Sequence, residues 1–175
     1  ERAQTLAGLI SSADEQQLRC IAILASGCPA DSSLSRALIA TGCAQISEAA
    51  SLACLLAPAG VTLSEWPELA LLALRADAFQ SVRAAATARL LESGCRGAWP
   101  LARSLLRTGT ALDEAAPWAD WYRGGRYEVA KRLLVVALDQ VFSARGEAPS
   151  GFEPNASWAA QERCLRELEA RLQPW

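Results

Sequence analysis

The chain has 175 residues, of which 51% are apolar, and a formal net charge of −2 from seventeen basic and nineteen acidic side chains. That apolar share is enough for one globular domain or one compact array. Histidine is absent and Lys131 is the only lysine, which excludes Ser-His and Cys-His pairs, imidazole metal ligands and imidazole pH switching, and leaves Schiff-base and P-loop chemistry a single candidate without its motif.

In chain order, residues 3–11 are expected as a leading helix. Helices are then expected near 15–26, 32–41, 45–57, 66–75, 79–92 and 99–107. The segment 80–93 shows why: Val82, Ala85, Ala86, Ala88, Leu90 and Leu91 make it rich in helix formers, without the alternation of a strand. Gly27, Gly60, Gly94 and Gly109 stand where a helix C-terminus favours left-handed φ. Pro67 and Pro100 fall in first turns, while Asp31, Ser32, Ser33 and Ser64 offer N-cap oxygens.

These stops recur. Leu24-Ala25-Ser26-Gly27-Cys28, Leu56-Ala57-Pro58-Ala59-Gly60 and Leu91-Glu92-Ser93-Gly94-Cys95 place glycines 33 and 34 residues apart. A second set of ends, Ala40-Thr41-Gly42, Arg75-Ala76-Asp77 and Arg107-Thr108-Gly109, interleaves at spacings of 35 and 32, and Trp66-Pro67 returns as Trp99-Pro100 after 33. A period of that length is one helix pair, too short to bury its own apolar faces, so stacking of neighbours is expected to form a continuous core.

After Gly109 the pattern changes. Residues 111–126 read as an insertion loop containing Pro117-Trp118-Ala119-Asp120-Trp121-Tyr122-Arg123-Gly124-Gly125. A strong amphipathic helix is expected at about 127–143, then a turn-rich loop from Gly146 to Gly151 and a polar helix ending near Leu172. Asn155 or Ser157 can cap that last helix, with Phe152 and Trp158 stapling it to the array. The fold class expected is therefore all-α: a short α-solenoid with about three repeats over 1–110 and capping helices over 127–175 of the same domain.

The stretch Asp77-Ala78-Phe79-Gln80-Ser81-Val82-Arg83-Ala84-Ala85-Ala86-Thr87-Ala88-Arg89-Leu90-Leu91 resembles the second helix of a HEAT repeat, with its opening Asp, Val-Arg pair and Ala-rich positions. Gln17-Leu18-Arg19 is a degenerate copy, and Gln45-Ile46-Ser47-Glu48-Ala49-Ala50 lacks the Arg. The resemblance covers roughly residues 12–110 and implies a right-handed α-solenoid of HEAT-like helix pairs joined by an Arg-Asp tie, which it does not carry to the first two copies. A tetratricopeptide array has a similar period but its Gly-Tyr and Phe positions are not in register. Phe152-Glu153-Pro154-Asn155-Ala156-Ser157-Trp158 is similar to a terminal segment of bacterial HEAT-repeat proteins. A bacterial origin sets aside glycosylation of Asn155-Ala156-Ser157.

Charge is uneven. Residues 1–74 hold three bases against seven acids, residues 75–132 ten against six, and residues 133–175 four against six. Solvated helix faces account for this more simply than a nucleic-acid stripe, so nucleic acid is not expected as a partner. The longest uncharged run, 49–64, is broken by Pro58 and Gly60 and is too short to span a bilayer, so no membrane insertion is expected. Six cysteines without a CxxC pair read as buried thiols rather than a zinc site or a disulfide scaffold, with Cys20 and Cys54 able to approach one another and Cys28 and Cys95 too far apart to bridge. The missing initiator Met marks the chain as a fragment or processed product, exported to the periplasm or cytoplasmic.

Asp113 and Glu114 are adjacent carboxylates with no identifiable third group, and a capping role suits them better than acid/base work. The one cluster with functional character is Trp118, Trp121, Tyr122, Arg123, Arg126 and Tyr127, residue types enriched at protein interfaces. These side chains either fill the joint between array and cap or meet a partner protein. No catalytic residue, metal or cofactor is assigned. The function expected is non-catalytic, a protein–protein interaction or scaffolding module within a larger protein or assembly. An accessory enzyme domain, or a HEAT-like array binding a cofactor or nucleic acid, is the alternative.

Overall fold

The computed structural model describes residues 8–10, 12–26, 32–44, 49–50, 54, 57, 64–107 and 126–172. Seven helices are bounded: α1 (Glu15–Ser26), α2 (Ser32–Ala44), α3 (Pro67–Leu74), α4 (Gln80–Glu92), α5 (Ala98–Arg107), α6 (Arg126–Ala144) and α7 (Trp158–Leu172). Residues 8–10, 49–50 and 54 are also helical, and no strand occurs among the described residues. The protein is all-α.

Local chemistry sets the helix ends. At the start of α1, Asp14 Oδ1 accepts from the Gln17 amide at 2.8 Å while the Asp14 amide donates to Gln17 Oε1 at 2.9 Å, a reciprocal capping box. At the end of α4 the Cys95 amide donates to the Leu90 carbonyl and the Gly94 amide to the Leu91 carbonyl, each at 2.9 Å. This paired closure needs left-handed backbone, and Gly94 has φ 71°. The same closure recurs at Gly146 after α6, where the Glu147 amide reaches the Phe142 carbonyl. Ser157 Oγ caps α7 by accepting from the Ala160 amide at 3.4 Å.

Two expected ends are corrected. Gly42 does not stop a helix, because α2 runs on to Ala44. A Cβ at Gly42 would stand 2.4 Å from the Cβ of Ala50, so glycine is there to let two helices cross closely. Ser64 is not the cap of α3, whose N-cap is Trp66 with no side-chain cap bond. Pro67 at the first helical position, which has no amide hydrogen to satisfy, and burial of the Trp66 ring fix that start instead. Gly27, Gly60 and Gly109 and the caps at Asp31, Ser32 and Ser33 lie outside the described residues or side chains.

The centre of the core is α4. Val82, Ala84 to Ala88, Leu90 and Leu91 are all buried, because α4 packs against α3, α5 and α6 at once. Alanine makes this feasible, since small side chains allow close approach on several sides. Farther out, α1 packs on α2, α2 on α3, and α5 on both α6 and α7. Phe142, Leu134 and Leu138 of α6 and Leu165 and Leu168 of α7 complete the core. The expected staple is half right: Phe152 is buried, but Trp158 is 42% exposed with Arg107 over its ring at 5.3 Å.

Cysteine burial also differs from expectation. Cys54 is buried, whereas Cys43, Cys95 and Cys164 are half-buried and Cys20 is exposed; these five are free thiols. Cys20 lies in α1 between buried Leu18 and Ile21, a position the helical period turns outward.

Candidate functional site

The sequence of α3, Pro-Glu-Leu-Ala-Leu-Leu-Ala-Leu, is apolar on every face except at Glu68. A helix of that kind is expected to be surrounded by protein. Leu69, Leu72 and Ala73 are indeed buried against α2 and α4. On the other side Leu71 and Leu74 are 60% and 63% exposed, in line with exposed Pro67 one turn earlier. Burying a leucine fully is worth about 1.5–3 kcal/mol, so each of these leaves roughly 1–2 kcal/mol of apolar stabilisation unused. Half-buried Ala70 extends the ridge, and the neighbouring α2 exposes Ala40 and Ala44.

The ridge is bordered by an arginine-centred network. Arg36 Nη2 donates to the Glu65 carbonyl at 2.7 Å, its Nε lies 3.5 Å from Glu68 Oε1, and its guanidinium sits 5.6 Å from the centre of the Trp66 ring. At the other end of α3, Arg75 Nη1 donates to the carbonyls of Gly42 and Cys43 at 2.8 and 3.0 Å. The remaining edge of that guanidinium is bidentate on Asp77, at 2.8 and 3.0 Å. Arg75 thus satisfies two carbonyls at the C-terminal end of α2, the negative end of its dipole, and is itself held in plane by a carboxylate. Hydrogen bonding from Arg75 holds the Asp77 carboxyl below its ordinary value. Cys43 Sγ faces the Glu68 carbonyl at 3.6 Å, and burial, with Glu68 nearby, pushes this thiol up. Burial likewise pushes Cys54 strongly up, so neither thiol is set up as a nucleophile.

Arginines make similar links elsewhere. Arg89 Nε donates to the Cys54 carbonyl at 3.0 Å while its Nη1 pairs with Glu92 at 2.5 Å. Arg83, from the Val-Arg pair, reaches the Ala73 carbonyl at 3.3 Å and so joins α4 to α3 within one pair. Arg103 and Arg107 on α5 pair with Glu169 and Glu162 on α7 at 2.8 and 2.7 Å. Arg171 stacks on Phe142 at 3.7 Å and donates to the carbonyls of Pro149, at 3.1 Å, and Ala148. Gln161, also buried, donates through Nε2 to the carbonyls of Pro154 and Ala156, both at 2.8 Å, fixing the turn before α7.

Of the aromatic and basic cluster, Trp118, Trp121, Tyr122 and Arg123 lie outside the described residues, as do Asp113 and Glu114. Arg126 and Tyr127 open α6, so the helix starts at the last residue assigned to the insertion. Their side chains are not among those described. Lys131 is buried on α6. A shallow hollow of about 570 Å³ on α6 is lined by Val136, Asp139, Gln140, Ser143 and Ala144. Its one carboxylate already accepts the Ser150 amide at 2.6 Å. Among the described residues, no group of three or more Cys, Asp or Glu side chains is placed to hold a metal ion, and no helix is long and apolar enough to cross a membrane. Comparisons with protein-family models, curated proteins and solved structures find no match to the chain.

Of these features, the HEAT resemblance implies only an Arg-Asp tie; the ridge and the arginine bonds to carbonyls are set by packing. The signal for the ridge was present in the nearly uncharged α3, and the Arg75-Ala76-Asp77 spacing carried the clue to the bidentate pair.

Proposed function

We propose that the chain is a short right-handed solenoid of HEAT-like helix pairs closed by α6 and α7, acting as a protein–protein interaction or scaffolding module within a larger protein or assembly. The side-by-side contacts of α2 with α3, α5 with α7 and α4 with α6 are of the kind a two-row stack of helix pairs makes. The arginine links support the repeat as well. Arg75 to Gly42 spans 33 residues and Arg89 to Cys54 spans 35, each about one sequence period.

The observation that carries the interaction reading is the exposed ridge of Pro67, Leu71 and Leu74. Two large leucines in line on one helix are anchors of the kind a partner's apolar surface covers. The test compares wild type with Leu71→Glu/Leu74→Glu and with Trp121→Ala/Arg123→Ala, each first checked for native helicity. Proteins retained from extracts of the source cells are identified by mass spectrometry, and the purified partner is titrated calorimetrically. The ridge variant is expected to weaken binding at least about tenfold, the equivalent of ~1.4 kcal/mol. Unchanged affinity in the ridge variant overturns its role, and weakening confined to the Trp121/Arg123 variant moves the contact to the aromatic and basic segment.

A further inference from the structure

We draw no further inference here: the strongest candidate, the exposed apolar ridge of Pro67, Leu71 and Leu74 on the outer face of α3, is the face the proposed function already uses, and nothing in the structure shows which class of partner covers it.

Discussion

Replacing Gly42 by alanine sets two physical effects against each other. In an open helix interior the change is stabilising by about 1 kcal/mol, because alanine loses less backbone entropy on folding. At position 42 the new Cβ would stand 2.4 Å from the Ala50 Cβ, with Leu72 Cδ2 at 3.5 Å and the Ala50 Cα at 3.8 Å. Carbon atoms pack at about 3.5–4 Å, so the two helices must part by more than ~1 Å. Ala50 has no rotamer with which to yield, and overpacking of this sort costs about 1–3 kcal/mol. The net expectation is destabilisation of up to about 2 kcal/mol, read as a lower urea midpoint at unchanged slope. Gly42→Ala combined with Ala50→Gly moves the methyl across the crossing, so it should be more stable than the sum of the single changes by about 1–3 kcal/mol. Gly8→Ala, at a helical glycine with open space around it, serves as the control and should not lower the midpoint. A Gly42→Ala protein about 1 kcal/mol more stable than wild type would refute the close crossing.

Further outcomes follow from single groups. Asp77 is held below its ordinary value of 3.8 by hydrogen bonds from Arg75. A depressed folded value means the pair's stabilisation is complete above the ordinary value of 3.8 and is lost as pH falls from there through the folded value. Carboxyl NMR should show Asp77 titrating low in wild type and near 3.8 in Arg75→Ala, and the stability gap between wild type and Asp77→Asn should close in acid; identical Asp77 titration in wild type and Arg75→Ala would break the assignment. Thr87 is fully buried in α4, and its hydroxyl has no hydrogen-bond partner among the described residues. Thr87→Val removes that unpaired group at equal shape, so the thermal midpoint should rise, by an amount equivalent to about 1 kcal/mol; a fall would mean that the hydroxyl is bonded.

The parts of the fold legible in sequence were those set by local rules. The Ser93-Gly94-Cys95 stop, Pro67 at a helix start and the Ser157 cap each depend on residues within one turn, and each stands where the sequence placed it. The misreadings came from tertiary context. Gly42 looked like a stop until the crossing with Ala50 gave it another reason to be glycine. The arginines of the basic middle keep partly solvated positions and are bonded as well: Arg75, Arg83 and Arg89 reach carbonyls of α2, α3 and Cys54, and Arg103 and Arg107 meet acids of α7. At Arg75 the planar fork bridges a carboxylate and a helix end at once, which the point charge of an ammonium does not do.

The candidate site was less legible than the fold. Helical periodicity identifies the buried face of a helix only when the other faces are polar, and α3 has apolar residues all round. Exposure of Leu71 and Leu74 therefore depends on which neighbours α3 has, a question settled by packing against α2 and α4.

Under the proposed function, the α3 ridge is a contact surface for another protein. Site-specific incorporation of a photo-crosslinking phenylalanine at position 71, in cells producing the full-length protein, tests it most directly, with Gln140 on α6 as the exposed control position. A discrete heavier adduct is expected from position 71 and none from position 140. No adduct from position 71, or the same adducts from both positions, would contradict it.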